Sequence, residues 1–470
     1  MRNRVLVVWL LTAPTYLLGQ IATPNTGLPS APIPQTVASF REALRPGVSQ
    51  DPQSAPSSQT SATAPGQKLS LKDAEELALR QNPQISVAHL LALASQQVTR
   101  EVRSNLWPTA NADITGVDAQ ENSRITAGGL NNPIIYERAA GGVSVSQLIT
   151  DFGRTTNLVA SAGLSQRAEE QNALATKEQI LLEVNQAFFS ALQTHAVLRV
   201  AEETVNARQV VADQVGALAK NKLKSELDLS FANVNLAQAK LLLLDAQNND
   251  KSALAGLSAV LGYPALQDLT LVEDTETINA PSANIDALIT EALAKRPELL
   301  ALDYQYQAAQ KLKTAERDLL LPSIRALGAV GGAPVRNDHL PSWYGAVGAN
   351  VDIPIFNGFL YTARSHEADL RSQAARDRVL DLRNRISRDV RTSWLNANAA
   401  YDRLAVTQQL LQQAQLALDL AQARYKLGLG SIVELSQAQL QATQAEISNA
   451  QAGYDYRLAS AVLRYETSGL

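Results

Sequence analysis

Hydrophobic positions along this chain follow two different spacings, and the switch between them occurs twice. Residues 72–105 and 286–319 show the spacing of amphipathic helices, and each segment ends just before a proline. Apolar and polar residues then alternate; Ala110, Ala112 and Ile114, for example, are separated by polar residues. Alternation over about ten residues is typical of a membrane β-barrel strand, although a surface hairpin shows the same pattern.

The alternating segments predict four strands, and their polar sides agree between the two occurrences. The strands are expected at about 109–118, 138–149, 323–333 and 342–354. In a barrel, the polar side faces the water-filled interior. The residues expected to face that lumen are Asn111, Asp113, Ser144, Ser146, Arg325, Asn350 and Asp352. The aromatic residues expected at the membrane interface are Tyr136, Trp343 and Tyr344.

Two much longer segments with helical spacing follow the strands, at 154–219 and 360–427. At a rise of about 1.5 Å per residue, each would span on the order of 100 Å. Leu174, Leu181 and Phe188 recur every seven residues in the first segment. This recurrence is the seam of helices that supercoil around their neighbours.

The order of these elements is repeated, and short motifs match between the copies. Ala78–Pro83 matches Ala292–Pro297, and Ser225–Leu229 matches Ser431–Leu435. The proline that ends the first motif is expected to break or kink the opening helix. Two structural repeats are therefore predicted, each built as helix, β-hairpin, long helix and shorter helix. The predicted repeats are residues 68–284 and 285–470.

Two hairpins supply only four strands, which cannot close a barrel. An open sheet edge in lipid leaves unpaired backbone groups, and each one costs several kcal/mol. Closure therefore requires several chains, and threefold assembly gives a twelve-stranded barrel. The predicted fold is mainly α with a membrane β-barrel, in which a homotrimer places that barrel on a long α-helical barrel.

The N-terminal part of the chain is expected to stay outside this fold. Residues 1–22 combine two early arginines with a short apolar run, which predicts a signal peptide. Residues 23–67 are rich in Pro and Ser and predict a disordered leader.

Composition excludes several functions. The chain has 41 Lys and Arg against 45 Asp and Glu, for a net charge of −4, and this near balance argues against a nucleic-acid partner. Cysteine is absent and histidine is rare, so no metal site stands out. Because no catalytic constellation is recognisable, we expect neither an enzyme nor a cofactor.

The motifs taken in order resemble the outer membrane efflux proteins, the TolC-like exit ducts of efflux pumps and type I secretion. The resemblance covers residues 69–470 and includes the opening motif Ala78–Pro83, the strand exit Leu148–Arg154 and the tip sequence Arg424–Leu435. It implies a passive duct in the bacterial outer membrane that extends into the periplasm. An inner-membrane pump would drive transport through a periplasmic adaptor protein. The alternative is a soluble periplasmic coiled-coil adaptor or scaffold without a pore.

The same resemblance assigns roles to the two turns that follow the long helices. Asp228 and Glu434 are expected to form an acidic gate ring at the periplasmic mouth, although both also suit the first turn of a helix. Gly430 stands where the best-known member of the family has a basic residue. The residues expected to dock the adaptor are Lys220, Asn221, Lys222, Leu223, Lys224, Ser225, Leu427, Gly428, Leu429, Gly430 and Ser431.

Overall fold

The computed structural model describes residues 68–120, 136–267, 269–273 and 278–467. The predicted signal peptide at 1–22 and the predicted leader at 23–67 lie outside these described residues.

The described chain is mainly helical, as predicted. Its first half contains β1 (Lys68–Leu69), α1 (Leu71–Gln81), α2 (Pro83–Ser104), β2 (Thr109–Val117), β3 (Arg138–Thr150), α3 (Arg154–Lys220) and α4 (Glu226–Val260). Its second half contains β4 (Thr270–Leu271), α5 (Ile285–Lys295), α6 (Pro297–Arg317), β5 (Ser323–Arg336), β6 (Trp343–Asp352), α7 (Leu360–Lys426) and α8 (Ile432–Glu466). A single 3₁₀ turn, Asp318–Leu320, links α6 to β5.

Each opening helix is divided in two at its proline. Asn82 ends α1 in an extended conformation, and its side chain accepts a hydrogen bond from the backbone N–H of Gln84. Pro83 occupies the first position of α2, where its missing N–H costs nothing. Arg296 and Pro297 repeat this break between α5 and α6.

The four longer strands form one antiparallel sheet in the order β2-β3-β5-β6. The central pairing of β3 with β5 joins the two repeats. Among the described residues, β2 and β6 each have one edge without a partner strand, so the sheet is open. Separately, β1 and β4 form a short parallel pair.

The helices pack side by side as a layer of four columns. The second column is α3, which contacts the first column, α2 with α4, and the third column, α6 with α8. The fourth column is α7, which packs against α6 and α8. The shorter helices meet end to end, because Asn82 at the start of α2 donates to the carbonyl of Val260 at the end of α4. None of the described helices is both long and apolar enough to cross a membrane.

Additional segments cover one surface of this layer. Phe188 and Val184 of α3 are fully buried in a cluster with Ala74 and Ala78 of α1 and Leu257 of α4. Of the seam predicted on α3, Leu181 and Phe188 are buried, whereas Leu174 is 47% exposed in the single chain.

In the second repeat, α5 occupies the position that corresponds to α1. Ile289 and Ala292 of α5 pack against Val379, Ile386 and Val390 of α7. The chain before α5 lies along the same side of α7, because the Trp394 indole N–H donates to the Ser282 carbonyl at 2.7 Å. One surface of the helical layer therefore carries α5 and the linker that precedes it.

Candidate functional site

The sheet has one polar face, and strand register places the residues predicted to face a lumen on it. Asn111 is opposite Ser144, and Arg325 is opposite Asn350. Because paired residues of antiparallel strands project to the same side, register can be followed across all four strands. The residues that share this face include all seven of the predicted set: Asn111, Asp113, Ser144, Ser146, Arg325, Asn350 and Asp352. Whether the face borders a lumen remains a prediction.

The three predicted interface aromatics lie in different places. Trp343 is on the apolar face and is 68% exposed. Tyr344 is on the polar face, where its ring covers the space beside Gly142 and Gly331; a Cβ at either glycine would collide with it. Tyr136 stacks on His339 at 5.5 Å between ring centroids. An interface position for these three residues remains a prediction.

The opposite face of the sheet is apolar and uncovered. Ile114 is 93% exposed, Val347 is 91% exposed and Val330 is 61% exposed. Large contiguous apolar patches are rare on proteins surrounded by water, and they mark contact with a membrane or another protein. A sheet with one polar and one apolar exposed face is suited to separating water from lipid.

The first of the two turns that connect helices, between α3 and α4, is stabilised by a capping box. The Ser225 hydroxyl accepts from the backbone N–H of Asp228, and the Asp228 carboxylate accepts from the backbone N–H of Ser225. The predicted gate residue Asp228 thus caps its helix. Lys222 in the same turn has a positive φ of 61°, and Leu223 is 69% exposed.

The second connecting turn, between α7 and α8, contains an ion pair. Glu434 places its carboxylate 3.1 Å from Nε of Arg424, while its backbone N–H donates to Ser431 Oγ. Gly430 makes room for this pair, because an added Cβ would lie 3.2 Å from both Arg424 Cβ and Glu434 Oε2. Gly428 supplies the positive φ of 72° that ends α7.

The two turns pack against each other. Lys224 Nζ of the first turn lies 4.0 Å from the ring centroid of Tyr425 at the end of α7. Burial raises the pKa of the Tyr425 hydroxyl above its usual value, and the nearby Asp228 carboxylate adds to the shift. Leu435 and Val215 are buried in the apolar cluster that joins the turns.

Exposed leucines extend beyond this packed pair of turns. Leu427 is 74% exposed and Leu429 is 69% exposed. Together with Leu223, they form an apolar tip on a mainly polar pair of helices, and such a tip is suited to contact with another protein.

The partner of the predicted gate residue Glu434 is not evident from its position in the sequence. Arg424 lies ten positions before Glu434, and only the turn brings the two together. The sequence does place an arginine and a tyrosine, Arg424 and Tyr425, in the last turn of the long helix, shortly before Gly428.

Comparisons with known proteins agree with this geometry. The model of the family described as outer membrane efflux protein matches residues 75–263 and 288–465. The outer membrane efflux protein BepC of Brucella suis is 25% identical over 332 residues, covering 68% of this chain and 70% of that protein. The outer membrane protein TolC of Vibrio cholerae is 26% identical over 341 residues, covering 69% and 75%.

Solved structures show the same fold. The crystal structure of the Vibrio cholerae outer membrane protein VceC aligns with a TM-score of 0.73 at 18% identity, covering 85% of this chain and 96% of that one. The family match falls in two segments, one in each repeat predicted from the sequence.

Proposed function

The chain belongs to the outer membrane efflux protein family, and we propose that it is one subunit of a passive exit duct. Its place is the bacterial outer membrane, where the sheet would cross the bilayer and the helical layer would extend into the periplasm. The observation that carries this function is the two-faced sheet, with its polar residues on one side and exposed Ile114, Val330 and Val347 on the other.

We infer that three copies complete the wall. The free edges of β2 and β6 lie at opposite ends of the sheet, so the β6 edge of one copy would pair with the β2 edge of the next. Such head-to-tail contacts generate a closed ring when the rotation permits. Three copies supply twelve strands, an even number within the range of membrane barrels.

The helical layer supports the same closure. Its outer columns, α2 with α4 and α7, are the ones that lack a neighbour on one side. Both expose apolar side chains on the single chain: Leu90 and Leu91 of α2 are 58% and 57% exposed, and Leu416 and Leu420 of α7 are 53% and 58% exposed. A neighbouring copy would bury these residues as the sheet edges pair.

The duct would have no chemistry of its own and would depend on partners. The exposed leucines at the two turns support docking of a periplasmic adaptor, through which an inner-membrane pump supplies the energy. The family is defined by efflux and not by a catalytic activity. The alternative of a soluble coiled-coil adaptor is not supported, because the family and the structural neighbours are outer-membrane proteins.

Asp228 and Glu434 remain the proposed gate of the periplasmic mouth. The pairing of Glu434 with Arg424 supports a tip held shut within each subunit, since the pair connects the end of α7 to the start of α8. Gly430 has no side chain that could pair with Glu434, and Arg424, which lies beside Gly430, provides the positive charge instead.

Fractionation and electrical recording test this function. The protein should remain in the membrane fraction until detergent is added, and the purified complex should conduct ions across a planar bilayer. Glu434→Gln should raise the conductance, while Glu291→Gln, which removes an exposed pair far from the turns, should not. Recovery from the soluble periplasm without detergent would contradict the proposal, as would a complex that stays silent in both forms.

A further inference from the structure

Four arginines lie seven residues apart along α7. They are Arg364, Arg371, Arg378 and Arg385. Seven residues are about two helical turns, so the four side chains project from one stripe of the helix. The stripe begins one turn after the start of α7 and runs for roughly 30 Å at about 1.5 Å per residue.

The stripe lies on the surface of the helical layer that α5 and its linker leave uncovered. Trp394 marks the covered side, because it donates to Ser282 of the linker. At about 100° per residue, the arginines lie roughly 120–180° around α7 from Trp394. In a closed ring the covered surface must face outward, since α5 and the linker would otherwise fill the lumen. The arginine stripe would then line the inner wall, a placement that rests on the proposed function.

A groove between α6 and α7 opens beside the middle of this stripe. Its volume is about 350 Å³. The side chains that line it are mostly apolar, with two arginines and one amide: Leu302, Gln305, Ala309, Leu312, Arg371, Ala374, Ala375 and Arg378. No carboxylate is among these lining residues. The groove therefore combines apolar walls with local positive charge.

The positive charge is only partly neutralised within the chain. Arg371 pairs with Glu367 at 2.6 Å and Arg385 pairs with Asp381 at 2.9 Å. Within the described residues, Arg378 has no acidic partner within 4 Å. Toward the sheet, a second groove is lined by residues that include Arg364, Glu316 and Glu367, the last being the partner of Arg371.

A neighbouring copy would not neutralise the stripe either. In the proposed ring, the helix placed next to this part of α7 is α2 of the adjacent subunit. That helix carries one acidic residue, Glu101, and two arginines, Arg100 and Arg103. Assembly would thus leave Arg378 as the unneutralised positive charge of the groove, beside the Arg371–Glu367 pair.

We propose that this groove binds anionic amphiphilic cargo in transit: compounds with an apolar body and a negatively charged head group. The apolar body would lie against Leu302 and Leu312, and the head group would pair with Arg378 and compete with Glu367 for Arg371. Three symmetry-related grooves would line one level of the duct and favour anions over cations there.

Blocking of the single-channel current by matched probes tests this binding. Octanesulfonate and octyltrimethylammonium share a tail and differ in charge, and each is added below its micellar concentration. Octanesulfonate should reduce the current at the lower concentration. In the double variant Arg371→Gln/Arg378→Gln, the half-blocking concentration of octanesulfonate should rise about threefold or more, as expected when exposed charge pairs are lost.

The control removes the same charge from the other side of the helix. Arg376→Gln/Arg383→Gln should leave the block by octanesulfonate unchanged, since both residues lie toward the covered surface, where Arg383 pairs with Asp303. If the double variant does not assemble, Arg378→Gln alone serves, because that side chain makes no ion pair with any residue that the structure describes.

The outcomes separate this proposal from the proposed function. A complex that never conducts, either as the wild type or as Glu434→Gln, contradicts the duct itself. A complex that conducts but is blocked equally by both probes, or equally in the wild type and the groove variant, contradicts the anionic groove and leaves the duct standing.

Discussion

Replacing Arg296 with methionine should loosen the junction where α6 meets the end of α8. The guanidinium of Arg296 lies 2.5 Å from the Glu466 carboxylate and 3.3 Å from the Glu298 carboxylate. The side chains are largely removed from water, with exposed fractions of 10% for Arg296, 16% for Glu466 and 29% for Glu298. Removing the cation leaves two carboxylates without their partner.

The expected cost is about 3 kcal/mol, at the low end of the range for breaking a buried ion pair because Glu298 retains some solvent contact. Hydrogen exchange measures this cost locally, since amides exchange when the junction opens. Amides at the end of α8 and the start of α6 should exchange about a hundredfold faster in the variant. The matched control is Arg383→Met, whose pair with Asp303 is half exposed and 3.7 Å long; it should cost less than about 1 kcal/mol.

The effect of Arg296→Met should also depend on pH. Burial raises the pKa of Glu466, and Arg296 opposes that shift, so the variant raises this pKa further. When the pKa of a carboxyl group is higher in the folded state than in the unfolded state, the folded protein loses stability as pH rises from about 4.5 through the pKa of the folded state. The variant should therefore be most destabilised at neutral pH and least near pH 4.5. Exchange no faster than in Arg383→Met, or equal at both pH values, would refute the reasoning.

Three further substitutions test other parts of the fold. Phe188→Ala should lower the free energy of unfolding by about 3–5 kcal/mol, because Phe188 is fully buried; an unchanged melting temperature by circular dichroism would contradict this packing. Ser225→Ala should cost about 1 kcal/mol and speed exchange in the first turn of α4, and protection equal to wild type would exclude the capping box. Gly331→Val should lower the temperature at which the complex dissociates on gels, because its side chain would collide with Tyr344. Tyr344→Ala should restore part of that loss, and no restoration would show that the collision is not the cause.

The division of the chain into helical and extended segments followed from local chemistry. A proline in the interior of a helix breaks or kinks it. The breaks at Pro83 and Pro297 could therefore be expected from the sequence. That the polar strand residues share one face could also be predicted from the sequence. Side chains alternate along a strand, and a register shift of one residue would reverse the whole pattern.

The contacts between distant segments could not be predicted in the same way. The pairing of β3 with β5 joins residues nearly two hundred positions apart, as between Ser144 and Ala329. The sequence of neither strand specifies which strand it pairs with. The ion pair of Arg424 with Glu434 depends on the turn geometry that Gly428 and Gly430 allow. Tyr344 fills the space left by two glycines on neighbouring strands, which only the register reveals.

Disulfide cross-linking across the free sheet edges tests the assembly of identical subunits most directly. The chain has no cysteine, so every cross-link comes from introduced residues. Ala112→Cys on β2 is combined in turn with Gly345→Cys, Val347→Cys or Ala349→Cys on β6, all on the apolar face. At least one pair should give a covalent ladder in oxidising conditions that ends at three chains. Cross-links confined within single chains, or ladders that continue beyond three, would contradict closure by three copies.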